Sequence, residues 1–142
     1  DTVLMVFPDL QGRLVGKRTT GRFFLQNVAD AGTENCDYLI ACDMDNNPVP
    51  GYRFTSYAQG YGDMLAKADW NTVRLIPWVE KTAMIMCDLL DVESHELVDV
   101  APRSILQHQV AGQLLLEEPV DRHVGVERGD DVVAIAPGVL VD

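Results

Sequence analysis

Cationic side chains are scarce in this sequence. Of its 142 residues, 11 are Lys or Arg and 22 are Asp or Glu, so the formal charge at pH 7 is −11. Proteins bind nucleic acids mainly by neutralising phosphates with Lys and Arg, and anionic membrane surfaces attract the same side chains. The charge balance therefore argues against a nucleic-acid partner and against an anionic membrane surface.

Long apolar runs and cysteines are also scarce. No uninterrupted apolar run approaches the roughly 20 residues of a membrane-spanning helix. Residues 1–10, DTVLMVFPDL, lack the basic region that precedes the apolar part of a signal peptide. We therefore expect a soluble cytoplasmic protein. Three cysteines with no C-x-x-C pair predict neither a disulfide framework nor a zinc site, but three buried, reduced thiols.

The common catalytic motifs are absent. The sequence has no G-x-S-x-G, no G-x-x-x-x-G-K-[ST], no H-E-x-x-H and no G-x-G-x-x-G that opens a helix. His95, His108 and His123 lie far apart in polar surroundings, which is typical of exposed histidines rather than of metal ligands. The sequence predicts no metal site within this chain.

The chain nevertheless has the composition of one globular domain, with 47% hydrophobic residues. Its patterns predict an α+β fold, a β-grasp-like mixed sheet with a covering helix, because runs of strands enclose a helix. The predicted elements are a hairpin (residues 3–7 and 14–17), a short helix (23–31), a buried strand (38–42), two strands (72–78 and 82–90), a helix (102–110) and one or two strands within 132–141.

Residues 44–70 form a predicted loop of unusual length, and loops of that length are usually functional or disordered. Its aromatic residues favour an ordered loop that packs or touches a ligand. Asp63 follows Gly62 in the sequence GYGDM (60–64), and glycines let the backbone adopt a tight turn or approach a ligand closely. Both a structural turn and a ligand contact are open interpretations of Asp63. The Pro77-Trp78 pair beyond the loop predicts a core anchor, because tryptophan buries a large area.

Four groups of short motifs, in order across residues 7–109, resemble the N-terminal domain of the glutamine synthetase superfamily. They are FPDLQGR (7–13) with GKR (16–18); PGY (50–52) with GYGDM (60–64); Asp69 with TVR (72–74) and PW (77–78); and CD (87–88) with APRSIL (101–106) and Gln109. The resemblance implies a β-grasp domain, in agreement with the order of the predicted elements.

The resemblance also implies an activity. Members of this family phosphorylate the γ-carboxyl of glutamate with ATP, and ammonia or an amine then attacks the acyl phosphate. ATP, glutamate and Mg²⁺ or Mn²⁺ bind mainly in a large C-terminal domain, and the N-terminal domain of the next subunit in a homo-oligomeric ring closes that site. The family therefore implies a cytoplasmic ligase of nitrogen metabolism, with the loop from residue 50 to residue 63 facing a neighbouring site.

One departure from the family concerns the nucleophile. The usual loop begins Asp-Gly-Ser-Ser, and its aspartate helps to bind ammonium, whereas residues 50–53 here read PGYR. The sequence is thus more similar to γ-glutamyl-amine ligases, such as γ-glutamylpolyamine synthetases, than to enzymes that use ammonia. The substrate-facing candidates are Tyr52, Arg53, Ser56 and Tyr57, with Asp63 as the candidate catalytic residue. The loop tyrosines either line an amine pocket or simply pack the loop.

A second departure concerns residues 110–142, which lack the Glu-x-Glu of the family's metal site. We therefore expect a β-grasp domain over 1–100, the start of a linker or helix over 101–110, and an unmatched tail over 111–142 that is either a rearranged lead-in to the first strand or unrelated. This piece alone is expected to be inactive. The alternative function is a non-catalytic assembly or interaction module derived from the family.

Overall fold

The computed structural model describes residues 1–58 and 60–114. Its elements are β1 (Thr2–Pro8), β2 (Leu14–Thr20), α1 (Gly21–Phe23), β3 (Thr33–Cys36), β4 (Asp63–Ala68), β5 (Arg74–Leu75), β6 (Thr82–Asp91) and α2 (Pro102–Leu114). A π-helical segment, Phe24–Val28, continues α1, and 3-10 turns cover Asp37–Ile40 and Trp70–Thr72. The predicted strands within 132–141 and the side chain of His123 lie outside the described residues.

The strands form one mixed sheet in the order β2-β1-β6-β4-β3. β1 runs parallel to β6, with Met5 opposite Ile85, and the other neighbours are antiparallel. The short β5 pairs with the first half of β6. A mixed sheet with few helices is an α+β, β-grasp-like architecture, so the predicted fold class is confirmed.

The core lies between the sheet and the helical segment that follows β2. Met5 and Phe7 on β1 and Ile85 on β6 are almost fully buried, and Phe24 and Val28 cover them from the helical side. This segment ends where the Gly32 N–H donates to the Val28 carbonyl at 2.7 Å, with the Gly32 φ at +84°. The predicted short helix with its glycine stop is therefore confirmed.

The hairpin predicted at the N-terminus is confirmed as β1 and β2. At Gly16, a Cβ atom would lie only 1.9 Å from the Met5 carbonyl oxygen, so no larger residue fits there. The Lys17 ammonium on β2 donates to Thr33 Oγ1 at 3.3 Å and to the Glu34 carbonyl of β3, so a side chain joins the two ends of the strand order.

The predicted strand at residues 38–42 is wrong. These residues follow β3 as the 3-10 turn Asp37–Ile40, in which Ile40 is 1% exposed. A short apolar run is buried equally well by a strand or by a helical turn, so its pattern alone does not separate the two. The predicted loop is correspondingly too long, because β4 begins at Asp63 and buries Met64 and Ala66.

The prediction that Trp78 anchors the core is also wrong, since its side chain is 80% exposed. Of the predicted strand 72–78, only Arg74–Leu75 pairs with β6. The chain then turns, with the Val79 N–H donating to the Ile76 carbonyl at 3.3 Å, and the buried position is taken by Ile76. The turn leaves Trp78 pointing away from the core.

The other predictions agree with the described residues. The strand predicted at 82–90 is β6, and the helix predicted at 102–110 is α2. His95 and His108 are exposed. Cys42 and Cys87 are buried, but Cys36 is only half-buried.

Candidate functional site

The Arg13 side chain connects the β1–β2 turn to the start of the loop over residues 43–62. Its Nε donates to Asp9 Oδ2 at 2.6 Å, while its two terminal nitrogens donate to the Asp43 and Met44 carbonyls at 3.0 and 2.9 Å. Asp9 is 1% exposed and also accepts the Arg13 and Gln11 backbone N–H groups. A buried carboxylate thus fixes the guanidinium that holds the first turn of the loop.

Asp43 shapes that first turn through its side chain. Its Oδ1 accepts the Asp45 and Asn47 backbone N–H groups at 2.9 and 2.8 Å, and Asn46 between them has a φ of 64°. The hydrogen bond from the Asn47 backbone N–H, which favours the charged carboxylate, holds the pKa of Asp43 below its ordinary value. The turn therefore depends on an ionised Asp43.

The rest of the loop encloses a surface cleft of about 560 Å³. Its walls are mainly apolar and aromatic, with one cation and one hydroxyl from a serine, and no acidic side chain is among the described residues that line it. The lining residues are Pro48, Val49, Pro50, Gly51, Tyr52, Arg53, Ser56, Tyr57, Ala58 and Tyr61. A concave, mostly apolar site with a few polar groups is typical of a small-molecule pocket.

The structure brings four of the five predicted site residues together. Tyr52, Arg53, Ser56 and Tyr57 all line the cleft, whereas Asp63 does not. Asp63 is the exposed first residue of β4, with its Cα opposite that of Cys36 on β3.

The loop tyrosines differ in their surroundings. Tyr61 packs edge-on against Tyr38, with ring centroids 5.6 Å apart, so part of its role is to pack the loop. Tyr57 is 89% exposed at the mouth of the cleft. Packing within the described chain therefore accounts for Tyr61 but not for Tyr57.

Sequence reasoning missed two residues that shape the cleft. Asp37 is 8% exposed and its Oδ1 accepts the Thr55 hydroxyl at 2.7 Å, while its Oδ2 accepts the Gly62 N–H at 3.0 Å. Thr55 is 2% exposed. In the sequence Asp37 only precedes the apolar run of residues 38–42, and no local pattern pairs it with a threonine 18 positions later.

A second cluster of charges attaches α2 to the sheet. Arg103 Nε donates to Asp88 Oδ1 at 2.9 Å, and its Nη2 donates to Asp69 Oδ2 at 2.8 Å. Gln107, one turn further along α2, donates to the same Asp88 oxygen at 2.8 Å. Three of the motif residues that carry the family resemblance thus form one ion-paired cluster with a structural role.

Burial explains the behaviour of two thiols. Desolvation raises the pKa of the Cys87 thiol to about 12, and burial also raises the pKa of Cys42. A raised pKa and burial both disfavour the thiolate, which is the reactive form, so we expect both groups to react slowly at neutral pH.

The part of the chain that the structure describes offers neither a cluster of metal ligands nor a membrane-spanning helix. Within residues 1–58 and 60–114, no group of three or more His, Cys, Asp or Glu side chains could hold a metal ion. In the same part of the chain, each helix is too short or too polar to cross a bilayer.

The chain is similar to enzymes that form amide bonds. It is 51% identical over 110 residues to a gamma-glutamylethanolamide synthetase of Streptomyces coelicolor, a match that covers 78% of this chain and 24% of the relative. It is 32% identical over 110 residues to a glutamate–isopropylamine ligase of a Pseudomonas species, with the same coverage. The chain thus spans about a quarter of the length of these curated relatives.

The fold is also similar to that of a solved protein structure. A crystal structure of a glutamine synthase homologue superposes with a TM-score of 0.63 at 18% identity, and the match covers 78% of this chain and 26% of that one. At that identity the likeness concerns the fold alone. No protein-family model matches the chain.

The two sequence relatives are named for a gamma-glutamyl amide product and for glutamate with isopropylamine. In the fold, residues from three of the four motif groups form the Asp9–Arg13 turn and the Asp69–Asp88–Arg103 cluster. These findings together identify the chain as a homologue of the glutamine synthetase family and as the counterpart of about a quarter of such a protein.

Proposed function

We propose that this chain is the N-terminal β-grasp domain of a ligase that joins the γ-carboxyl of glutamate to a primary organic amine. In the whole protein, ATP would phosphorylate the γ-carboxylate, and the amine nitrogen would displace phosphate from the acyl phosphate to form the amide. An acyl phosphate is a better electrophile than a carboxylate, and enclosure limits its hydrolysis. The main observation that supports this proposal is that Tyr52, Arg53, Ser56 and Tyr57 line one cleft.

The lining of the cleft supports an organic amine rather than ammonia as the substrate. Its apolar and aromatic walls provide contact area for carbon atoms, which ammonia does not have. The exposed face of Tyr57 provides a surface on which an ammonium group can rest by cation–π attraction. The two curated relatives are named for ethanolamide and isopropylamine products or substrates, so small monoamines are the first compounds to test.

Other parts of the reaction belong elsewhere in the whole protein. Residues 1–58 and 60–114 do not provide a group of three metal ligands, so they do not fit the Mg²⁺ or Mn²⁺ that the family uses. We place the metal, ATP and most glutamate contacts in the remainder of a homo-oligomeric protein, with residues 1–100 as the β-grasp domain, 101–110 as the start of its connection and 111–142 unassigned. Relatives named as ligases do not support the alternative of a non-catalytic module.

The test uses the whole protein in which this chain occurs. Phosphate release from ATP is measured with glutamate and either ammonia, ethanolamine, isopropylamine or a polyamine, and mass spectrometry identifies the γ-glutamyl product. We expect a small monoamine to give the highest kcat/KM. Equal or better turnover with ammonia would contradict the proposal.

The site residues are tested in the same assay. Arg53→Ala is expected to lower amine-dependent phosphate release, and Tyr57→Ala is expected to raise the KM for the amine. Asp63 does not line the cleft of its own chain, and we propose that it faces the site of a neighbouring subunit, so Asp63→Asn is also expected to lower phosphate release. Arg22→Ala and Asp30→Asn are matched controls, because both residues are exposed on or beside the helical segment away from the cleft. Unchanged turnover in both the Arg53 and the Asp63 variants would remove these two residues from the site.

A further inference from the structure

The Asp37 carboxylate joins the two ends of a segment that carries four of the ten residues lining the cleft. The segment runs from Thr55 to Gly62, and its lining residues are Ser56, Tyr57, Ala58 and Tyr61. Thr55 at one end and Gly62 at the other donate to different oxygens of the same carboxylate, at 2.7 and 3.0 Å. The Asp37 N–H also donates to the Gly62 carbonyl at 3.0 Å.

Two backbone contacts lie between these two anchors. They are a bridge between Ser56 and Gly60 and a long hydrogen bond of 3.4 Å from the Gly60 N–H to the Tyr57 carbonyl. The Tyr38–Tyr61 ring contact adds one attachment to the 3-10 turn that Asp37 begins. The carboxylate of Asp37 and the ring of Tyr38, its neighbour in sequence, therefore both attach this segment to the 3-10 turn.

Asp37, Thr55 and Gly62 together form a clamp, and its hydrogen bonds favour a single fixed position of the segment between Thr55 and Gly62. Hydrogen bonds to an ionised acceptor are stronger than neutral ones, and loss of one partner leaves a buried donor without an acceptor. Both Asp37 and Thr55 are buried, so water does not readily replace a lost contact. A variant without the carboxylate should therefore keep its sheet but lose the fixed position of residues 55–62.

We propose that Asp37 is a positioning residue for the amine substrate, acting through Thr55 and Gly62 to hold the cleft in its binding shape. This inference rests on the proposed function for its kinetic consequence, and on the contacts alone for its structural one. Asp37 itself does not line the cleft, so its expected effect is on amine binding rather than on the chemical step.

The structural test is hydrogen exchange of the peptide over residues 54–62 in the whole protein. In Asp37→Asn, the amide cannot accept from both donors as the carboxylate does, and exchange of this peptide is expected to be about tenfold faster. Asp91→Asn is the matched control, because Asp91 also accepts backbone N–H groups, from Glu93 and Ser94, in a different turn. Unchanged exchange over 54–62 in Asp37→Asn would overturn the clamp, whether or not the protein is an amine ligase.

The kinetic test separates positioning from general destabilisation. Thr55→Val is expected to raise the KM for the amine about tenfold, with kcat and the KM for glutamate changed less than twofold, and Thr55→Ser is expected to restore it because it keeps the hydroxyl. Equal changes in all constants, or none, would overturn the positioning role. If wild-type protein shows no amine-dependent turnover, the proposed function fails, and the exchange result still decides the clamp.

Discussion

Asp9 and Arg13 form an ion pair within the β1–β2 turn, with Arg13 Nε 2.6 Å from Asp9 Oδ2. The pair is local in sequence, but the remaining guanidinium nitrogens reach the Asp43 and Met44 carbonyls about 30 positions away. A turn motif near the N-terminus therefore sets where the cleft-bearing loop begins.

Loss of the Asp9 carboxylate should destabilise the fold. In Asp9→Ala, the guanidinium and the Arg13 and Gln11 N–H groups lose a buried acceptor, so the free energy of unfolding should fall by about 3 kcal/mol. Urea denaturation measures the change. Asp45→Ala, an exposed residue of the same loop, is the control and should change stability by less than about 0.5 kcal/mol. An equal effect of both substitutions would contradict the role of the pair.

Gly16 should not tolerate a side chain. In Gly16→Ala the new Cβ would clash with the Met5 carbonyl on the neighbouring strand, and we expect a loss of about 3 kcal/mol or more as β1 and β2 separate. Gly21→Ala is the matched control, because its Cβ would meet its nearest neighbour, the Asp1 Cβ, at an ordinary 3.7 Å. Thermal unfolding monitored by circular dichroism compares the two, and equal melting temperatures would refute the prediction.

Arg103 should hold α2 on the sheet. Arg103→Gln removes the donors to Asp69 and Asp88, and the free energy of unfolding should fall by about 2 kcal/mol because two partly buried carboxylates lose a charged partner. Arg22→Gln, on exposed surface, is expected to have little effect. The prediction fails if hydrogen exchange and urea denaturation do not distinguish the two variants.

The three thiols should differ in reactivity. Because burial raises the pKa of Cys87 to about 12, very little of this thiol is ionised at pH 8. Cys36 is half-buried and should react first with a disulfide reagent, followed slowly by Cys42 and Cys87. In urea all three should react at similar rates. Modification of native Cys87 as fast as Cys36 would show that the core is open.

The turn at Asp43 should loosen only in acid. Hydrogen bonds from Asn47 place the folded pKa of Asp43 below 3.8, so its contribution to stability is complete above that pH and is lost as the pH falls through the lower value. The chemical shift of the Asn47 backbone amide should titrate with a midpoint below 3.8. The titration should disappear in Asp43→Asn. A midpoint above 3.8 would show that the folded state disfavours the charged carboxylate, which would contradict the prediction.

Local chemistry explains which elements were predicted correctly. The Pro, Asp and Gly residues of the first turn specify a hairpin within a few positions, and Gly32 ends the helical segment through its own backbone geometry. The strand β6 has enough consecutive apolar residues to be recognised without its partners. In each case the signal lies within the element itself.

The errors arose where long-range packing decided the outcome. Residues 38–42 are apolar enough for a strand, but none of the strands in the described part of the chain pairs with them, and the 3-10 turn Asp37–Ile40 takes up most of the run. Strand β4 contains Asp, Lys and two Ala residues, and it is a strand because β3 and β6 bond to its two edges. Trp78 is exposed because the turn after β5 places Ile76 inward.

The sequence by itself determined the fold class, the hairpin, the family resemblance and four residues of the cleft, since these follow from local turn chemistry and ordered motifs. Only the tertiary structure decided that Asp63 lies outside the cleft and that Asp37 holds it. The reason is physical: the partners of a buried carboxylate are set by which distant residues the fold brings next to it, and Asp37 and Thr55 are 18 positions apart in the sequence.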